Sequence, residues 1–183
     1  MIKLLSANLY RLKNSLFFWL AIVVMAGMGA FILFNQYLGS LEYGYVIKLD
    51  NFIFGYSLII GIVAAVFCSL FLGTEYSDGT IRNKLVVGHT RLNIYLSMLI
   101  TSIVAALLMC FAFLVVVCAV GIPLIGFVEA GVWECMVILL DSFVMVCAVC
   151  SILTAISMLI SNKSIASIVS ILLMIGLLVL ALN

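Results

Sequence analysis

Residues 16–34 read LFFWLAIVVMAGMGAFILF, a run without a single charged side chain. A hydrocarbon core about 30 Å thick needs roughly 20 apolar residues per helical span, so this run is long enough to cross a bilayer. It exceeds the apolar core of a secretory signal peptide, and no convincing small-residue cleavage site precedes Asn35. We therefore expect a membrane helix that is retained in the mature protein.

The composition extends this prediction to the whole chain of 183 residues. Hydrophobic residues make up 68% and charged residues 8%, and the mean hydropathy is +1.47. A soluble domain carries roughly 25% charged residues, so water is the wrong solvent for this surface. Four more apolar runs cover about 52–72, 92–120, 133–160 and 165–182. The sequence thus predicts an all-α polytopic membrane protein, with one transmembrane domain over residues 1–183 and the only proline, Pro123, in a loop.

The first fifteen residues are expected to form a different kind of helix. Apolar residues recur there at helical spacing: Ile2, Leu5, Leu9, Leu12 and Leu16. Charged and polar residues fall largely on the other faces, which is typical of a helix lying in the membrane interface. We predict an interfacial amphipathic helix over residues 1–15.

The basic residues predict the orientation. If the N-terminus is cytoplasmic, seven of the eight lie on the cytoplasmic side: Lys3, Arg11, Lys13, Arg82, Lys84, Arg91 and Lys163. Only Lys48 is then outside, which agrees with the excess of Lys and Arg in cytoplasmic loops. Aromatic residues suited to the outer boundary are Tyr37, Tyr43, Tyr45 and Trp133. Five spans place Asn183 outside, and we expect a sixth span in the natural protein.

No enzyme signature is found in the sequence. It contains no P-loop, no H-E-x-x-H and no G-x-S-x-G, and its single histidine, His89, has no ligand partner nearby. The pair Cys147 and Cys150 has C-x-x-C spacing but lacks a second pair, so it is read as packing residues. Asp141 lies either within the fourth span or at its outer boundary. A net charge of +1 without a basic stripe argues against nucleic acid.

The charges concentrate between the second and third spans. Residues 74–91 read TEYSDGTIRNKLVVGHTR. Asp78 is expected as the N-cap and Gly88 as the residue after the end of a short helix, with Ile81 and Leu85 on one face. Thr90 is expected to cap the third span. We predict a short amphipathic helix on a cytoplasmic loop.

Residues 75–95, EYSDGTIRNKLVVGHTRLNIY, resemble the loop that follows the second span in ABC-2-type transporter permeases. The matching positions are Glu75, Gly79, Thr80, Ile81, Arg82, Leu85, Thr90, Arg91, Ile94 and Tyr95. The resemblance is greatest to bacterial permeases of lantibiotic immunity, bacitracin resistance and peptide-toxin export.

This resemblance implies a permease subunit of an ATP-driven exporter in the bacterial plasma membrane. Such a permease dimerises and binds separate ATPase subunits, which hold ATP and magnesium, so no cofactor is expected in this chain. The short helix would be the coupling helix, with the contact residues Glu75, Gly79, Thr80, Ile81, Arg82, Lys84, Leu85 and Arg91. The expected substrate is a hydrophobic or amphipathic peptide or antimicrobial. The alternative is a non-transporting immunity or assembly factor that packs against a partner complex.

Small residues form a stripe along the second span. Ser57, Gly61, Ala65, Ser69 and Gly73 recur every four residues and so share one face. In lipid, small residues let helices approach closely. The neighbour is expected to be another helix of the same chain, or else a second copy.

Overall fold

The computed structural model describes residues 2–44, 49, 55–126, 131–160 and 162–182. Over these residues it contains seven helices and no strand, which confirms the all-α class. The helices are α1 (Ile2–Lys13), α2 (Leu16–Tyr43), α3 (Tyr56–Ser77), α4 (Thr80–Val86), α5 (Arg91–Ile125), α6 (Val132–Leu159) and α7 (Lys163–Leu182). Five of them, α2, α3, α5, α6 and α7, are long and apolar enough to cross a membrane.

Helix α3 lies at the centre of the bundle. It packs against α2, α5, α6 and α7, whereas α1 packs along the start of α5. Most of the side chains buried between these helices are apolar, with Phe71, Met98, Met109 and Phe113 among the largest. In a chain whose outer surface is also apolar, such an interior is held by close packing rather than by exclusion of water.

The small-residue stripe of α3 faces α7 of the same chain. A Cβ atom on Gly61 would lie 3.2 Å from Sδ of Met174, and one on Gly73 would overlap the side chain of Lys163. Between these two levels, the hydroxyls of Ser69 and Ser170 lie 3.4 Å apart. The stripe therefore brings α3 and α7 into close contact within one chain, which agrees with the first of the two expectations.

Two helix ends differ from the sequence prediction. Helix α2 continues to Tyr43, well beyond residue 34, and ends at Gly44, whose φ of 70° lies in the left-handed region. Pro123, which was predicted to lie in a loop, is inside α5. It lies in the last turn, so the hydrogen bond that it cannot donate to the carbonyl of residue 119 is lost next to the helix end. Tyr45, Lys48, residues 52–54 and Glu129 lie outside the described residues.

The face of α1 that packs on the bundle is rotated from the apolar stripe that the sequence indicates. Leu4, Asn8 and Leu12 are buried, Leu9 is half-buried, and Ile2 is exposed. The two differ because the stripe was defined by polarity, whereas Asn8 turns inward to bond with the bundle. The rotation brings Arg11, one turn further along, to the end of α3.

One end of the bundle collects basic residues from distant parts of the chain. Arg11 of α1 and Lys84 of α4 both pair with Glu75 at the end of α3. Lys163, at the start of α7, packs against Gly73 of α3. We call this the basic end.

Candidate functional site

Helix α4 lies at the basic end, in the loop between α3 and α5. Gly79 precedes it with a φ of 66°, and Gly88 follows it with a φ of 93°. Both values are in the region that glycine adopts without steric cost, so each glycine allows a sharp turn. The hydroxyl of Thr90 then accepts a bond from the Asn93 amide and caps α5, as predicted.

The predicted N-cap of this helix was wrong. Asp78 closes α3, and Gly79 stands in the N-cap position of α4. The turn requires a left-handed backbone at that point, which glycine supplies and aspartate resists. The Asp78 side chain is exposed, and Ser77 donates a bond to it.

A buried carboxylate holds α4 against the bundle. The side chain of Glu75 is only 2% exposed. Its two oxygens accept hydrogen bonds from Nζ of Lys84 at 3.0 and 2.7 Å. The resemblance implied that Lys84 contacts the ATPase subunit, whereas the structure turns its side chain inward. A charge buried this deeply is tolerated only when it is paired and hydrogen-bonded.

Arg11 is the second cation on Glu75, and it comes from α1. It forms an ion pair with that carboxylate and donates to the carbonyl of Phe71 at 2.8 Å and to the hydroxyl of Thr74. Its guanidinium also lies over the ring of Phe71, 4.6 Å from the centroid. Planar, delocalised charge suits this combination of pairing and stacking better than an ammonium does.

Asn8 completes the group. Its Oδ1 accepts a bond from Nζ of Lys84 at 3.2 Å, and its Nδ2 donates to the hydroxyl of Ser97 at 3.2 Å. We call Asn8, Arg11, Glu75 and Lys84 the Glu75 cluster. It ties α1, α3, α4 and α5 together at one point and leaves none of its charges buried without a partner.

The outer face of α4 is apolar at its end. Val86 is 80% exposed and Val87 is 76% exposed, and Arg82 and Asn83 are exposed beside them. Ile81 is half-buried and Leu85 is 37% exposed, because both turn partly toward the bundle. Of the apolar residues in this loop, the two valines are therefore the most outward-facing.

The predicted contact residues divide into four groups in the structure. Glu75 and Lys84 belong to the buried cluster, whereas Gly79 and Thr80 form the turn, in which the Thr80 hydroxyl donates to the Glu75 carbonyl. Arg82 lies on the outer face. The remaining three, Ile81, Leu85 and Arg91, line a groove between α4 and the bundle.

Sequence reasoning missed Asn8 and Arg11 as members of the cluster. Arg11 precedes Glu75 by 64 residues and Asn8 precedes Lys84 by 76, so no spacing rule links them. The one available signal was the position of Asn8 on an amphipathic helix. It lies four residues after Leu4 and four residues before Leu12, so the three side chains share one face. Such a polar residue on an apolar face requires a partner when it is buried.

No metal-binding group is found among the described residues, where no three His, Cys, Asp or Glu side chains come together. The six cysteines are free and lie within α3, α5 and α6. Asp141 is exposed on α6, inside the segment that is apolar enough to span a membrane. The site therefore consists of a surface helix, its ion-paired support and the adjoining groove.

Comparison with known proteins gives one match. Residues 4–179 match the profile of a family described as ABC-2 family transporter protein. No curated protein and no solved structure matches the chain. The family match extends over all seven helices, including α1 and α4.

Proposed function

This chain belongs to the ABC-2 transporter family, and we propose that it is the permease subunit of an ATP-driven exporter. In this role α4 is the coupling helix, the element that contacts a separate ATPase subunit. The permease itself is a membrane transport component and carries no catalytic site. Two permease copies, or this chain and a homologous one, are expected to form the transmembrane unit.

One observation carries this proposal: α4 presents Val86 and Val87 to solvent while the Glu75 cluster fixes it on the bundle. Apolar anchors at the centre of an interface contribute most of its affinity, and rigid anchors avoid the entropy cost of ordering. A short helix that is fixed to the bundle on one side and is apolar on its exposed side is suited to dock against another protein. The exposed Arg82 would lie at the rim of that contact.

The orientation follows from the basic end. Arg11, Lys84 and Lys163 come together there, and the excess of Lys and Arg on the cytoplasmic side predicts that this end faces the cytoplasm. An ATPase subunit would then reach α4 directly. Single cysteines at Ser77 and Ser40, in a chain without native cysteines, test this with an impermeant thiol reagent on intact cells. We expect labelling at residue 40 and none at 77, and the reverse pattern would contradict the orientation.

The proposed substrate is a hydrophobic or amphipathic peptide or similar antimicrobial. Its support is the resemblance of the α4 loop to peptide exporters. The test is growth in the presence of such peptides, with and without the chain and its ATPase subunit. Protection that persists when the ATPase subunit is inactivated would favour the non-transporting immunity factor instead.

The docking experiment compares two exposed positions of α4. The tagged chain is purified in mild detergent, and its ATPase subunit is identified as the P-loop protein that co-purifies. We expect the double variant Val86→Asp, Val87→Asp to lose this protein while it inserts normally, because both changes lie on the exposed surface. Asn83→Asp, which adds a charge on the same helix, should retain it. If the double variant binds as well as the original chain, α4 is not the coupling element.

A further inference from the structure

A groove of about 320 Å³ lies behind α4, between this helix and the ends of α3, α5 and α6. Its walls are Tyr76, Ile81, Leu85, Arg91, Ile94 and Met158. Four of these side chains are aliphatic or thioether. The hydroxyl of Tyr76 is already engaged, because it donates to the carbonyl of Met158.

Arg91 is the one charged side chain in the groove wall. It is exposed, and within the described part of the chain it has no hydrogen bond or ion pair. The groove therefore combines an apolar pocket with a free guanidinium, which pairs best with a carboxylate through two parallel bonds.

We propose that this groove receives a segment of the ATPase subunit in which an apolar side chain is flanked by an acidic residue. The apolar side chain would fill the space between Ile81 and Met158, and the carboxylate would bind Arg91. The inference rests on the proposed function, and it adds that contact is made on both sides of α4. The permease would thus bind the ATPase subunit both through the exposed valines of α4 and through the groove behind this helix.

Continuity of the surface supports this occupant over a lipid. Leu85 forms part of the groove wall and is also 37% exposed, so it joins the groove to the exposed Val86 and Val87. A lipid that fills the groove alone would leave both valines exposed. A protein that covers the valines would bury the whole continuous apolar surface. Its acidic residue would then pair with Arg91 at the edge of that surface.

The test measures affinity between the chain, in nanodiscs of neutral phosphatidylcholine, and its purified ATPase subunit. Ile81→Trp fills the groove, and Arg91→Glu reverses its charge. We expect each to weaken binding at least about tenfold, because Ile81→Trp blocks the apolar pocket and Arg91→Glu places like charges opposite each other. Arg91→Lys should recover part of the loss. Lys13→Glu, a charge reversal at an exposed residue of α1, serves as the matched control and should change affinity by no more than about threefold.

A photoreactive residue at position 85 identifies the occupant directly. We expect it to cross-link to an ATPase peptide that contains an apolar residue beside Asp or Glu. Normal binding by both groove variants, with loss of binding by the Val86→Asp, Val87→Asp double variant, would overturn the inference and leave the proposed function standing. Normal binding by all variants would overturn both. An Arg91→Glu defect that appears only when anionic phosphatidylglycerol is included would assign the groove to lipid and overturn the inference.

Discussion

The Glu75 cluster predicts a specific consequence of removing one charge. Glu75→Gln keeps the size of the side chain but leaves the cations of Arg11 and Lys84 facing a neutral amide. Breaking a fully buried pair by removing one partner costs about 3–5 kcal/mol. Here the side chains of Arg11 and Lys84 are 32% and 17% exposed, so water recovers part of that loss. We therefore expect a smaller cost of about 2–3 kcal/mol, at or below the lower limit of this range.

This cost should appear as local opening of α4 rather than as unfolding of the spans. The cluster joins α4 to the bundle, whereas the core of α3 and α5 is packed by other side chains. Amide hydrogen exchange reports such local opening, with a tenfold change in the equilibrium for each 1.4 kcal/mol. Exchange over residues 80–87 in nanodiscs should therefore accelerate by roughly 30- to 140-fold. Residues 98–113 of α5 should exchange as before.

The matched control is Asp78→Asn, which removes an exposed carboxylate from the same loop. It should leave exchange in α4 within about threefold, as expected for a surface substitution. Lys84→Met should open α4 at least as much as Glu75→Gln, because Lys84 is the residue of α4 that bonds to Glu75 and Asn8. Unchanged exchange in α4 of Glu75→Gln, or an equal acceleration in α5, would refute the view that the cluster is what pins this helix.

Two further predictions concern the packing of the spans. Gly73→Ala should lower the stability by about 1–3 kcal/mol, because the added Cβ atom would overlap the side chain of Lys163 and lie 3.1 Å from the Cα atom of Lys163. Gly176→Ala adds a Cβ atom that meets nothing within 4 Å and should leave the stability unchanged. Equal melting temperatures for the two variants would contradict the close approach of α3 and α7. The hydroxyl of Thr154 is buried and has no hydrogen-bond partner in the described residues, so Thr154→Val should be neutral or stabilising. As the control, Thr101→Val removes a hydroxyl that donates to a carbonyl at 2.7 Å, and it should cost about 1 kcal/mol. A greater loss of stability in Thr154→Val than in Thr101→Val would show that the Thr154 hydroxyl is bonded.

The spans could be predicted from the sequence because lipid imposes one strong requirement. Every backbone group in the hydrocarbon must be bonded internally, so an apolar run of sufficient length forms a helix whatever surrounds it. This explains why α2, α3, α5, α6 and α7 coincide with the five apolar runs. The ends were less predictable, because helix α2 continues to Tyr43 beyond the apolar run and nothing in polarity alone stops it.

The site was only partly predictable, for a different reason. The glycines at 79 and 88 and the cap at Thr90 are local signals, and they locate α4 to within two residues. Which side of α4 faces the bundle depends on Glu75 and Asn8, whose partners are far apart in sequence. The resemblance implied that Lys84, Ile81 and Leu85 all contact the ATPase subunit. In the structure Lys84 is bonded to the buried carboxylate of Glu75, and Ile81 and Leu85 turn partly toward the bundle.

Helix α4 depends on the Glu75 cluster for its conformation. A helix of seven residues is well below the roughly 12–15 residues that an isolated helix needs in water, so its conformation must come from tertiary contacts. Those contacts are made at one point by Asn8 and Arg11 of α1 and by Glu75 of α3, through Lys84. A displacement of Val86 and Val87 is therefore transmitted to the end of α3 through charged hydrogen bonds rather than through a mobile loop. Because α3 also packs closely on α7 through its small residues, a displacement of α4 must move these two helices together or break the cluster.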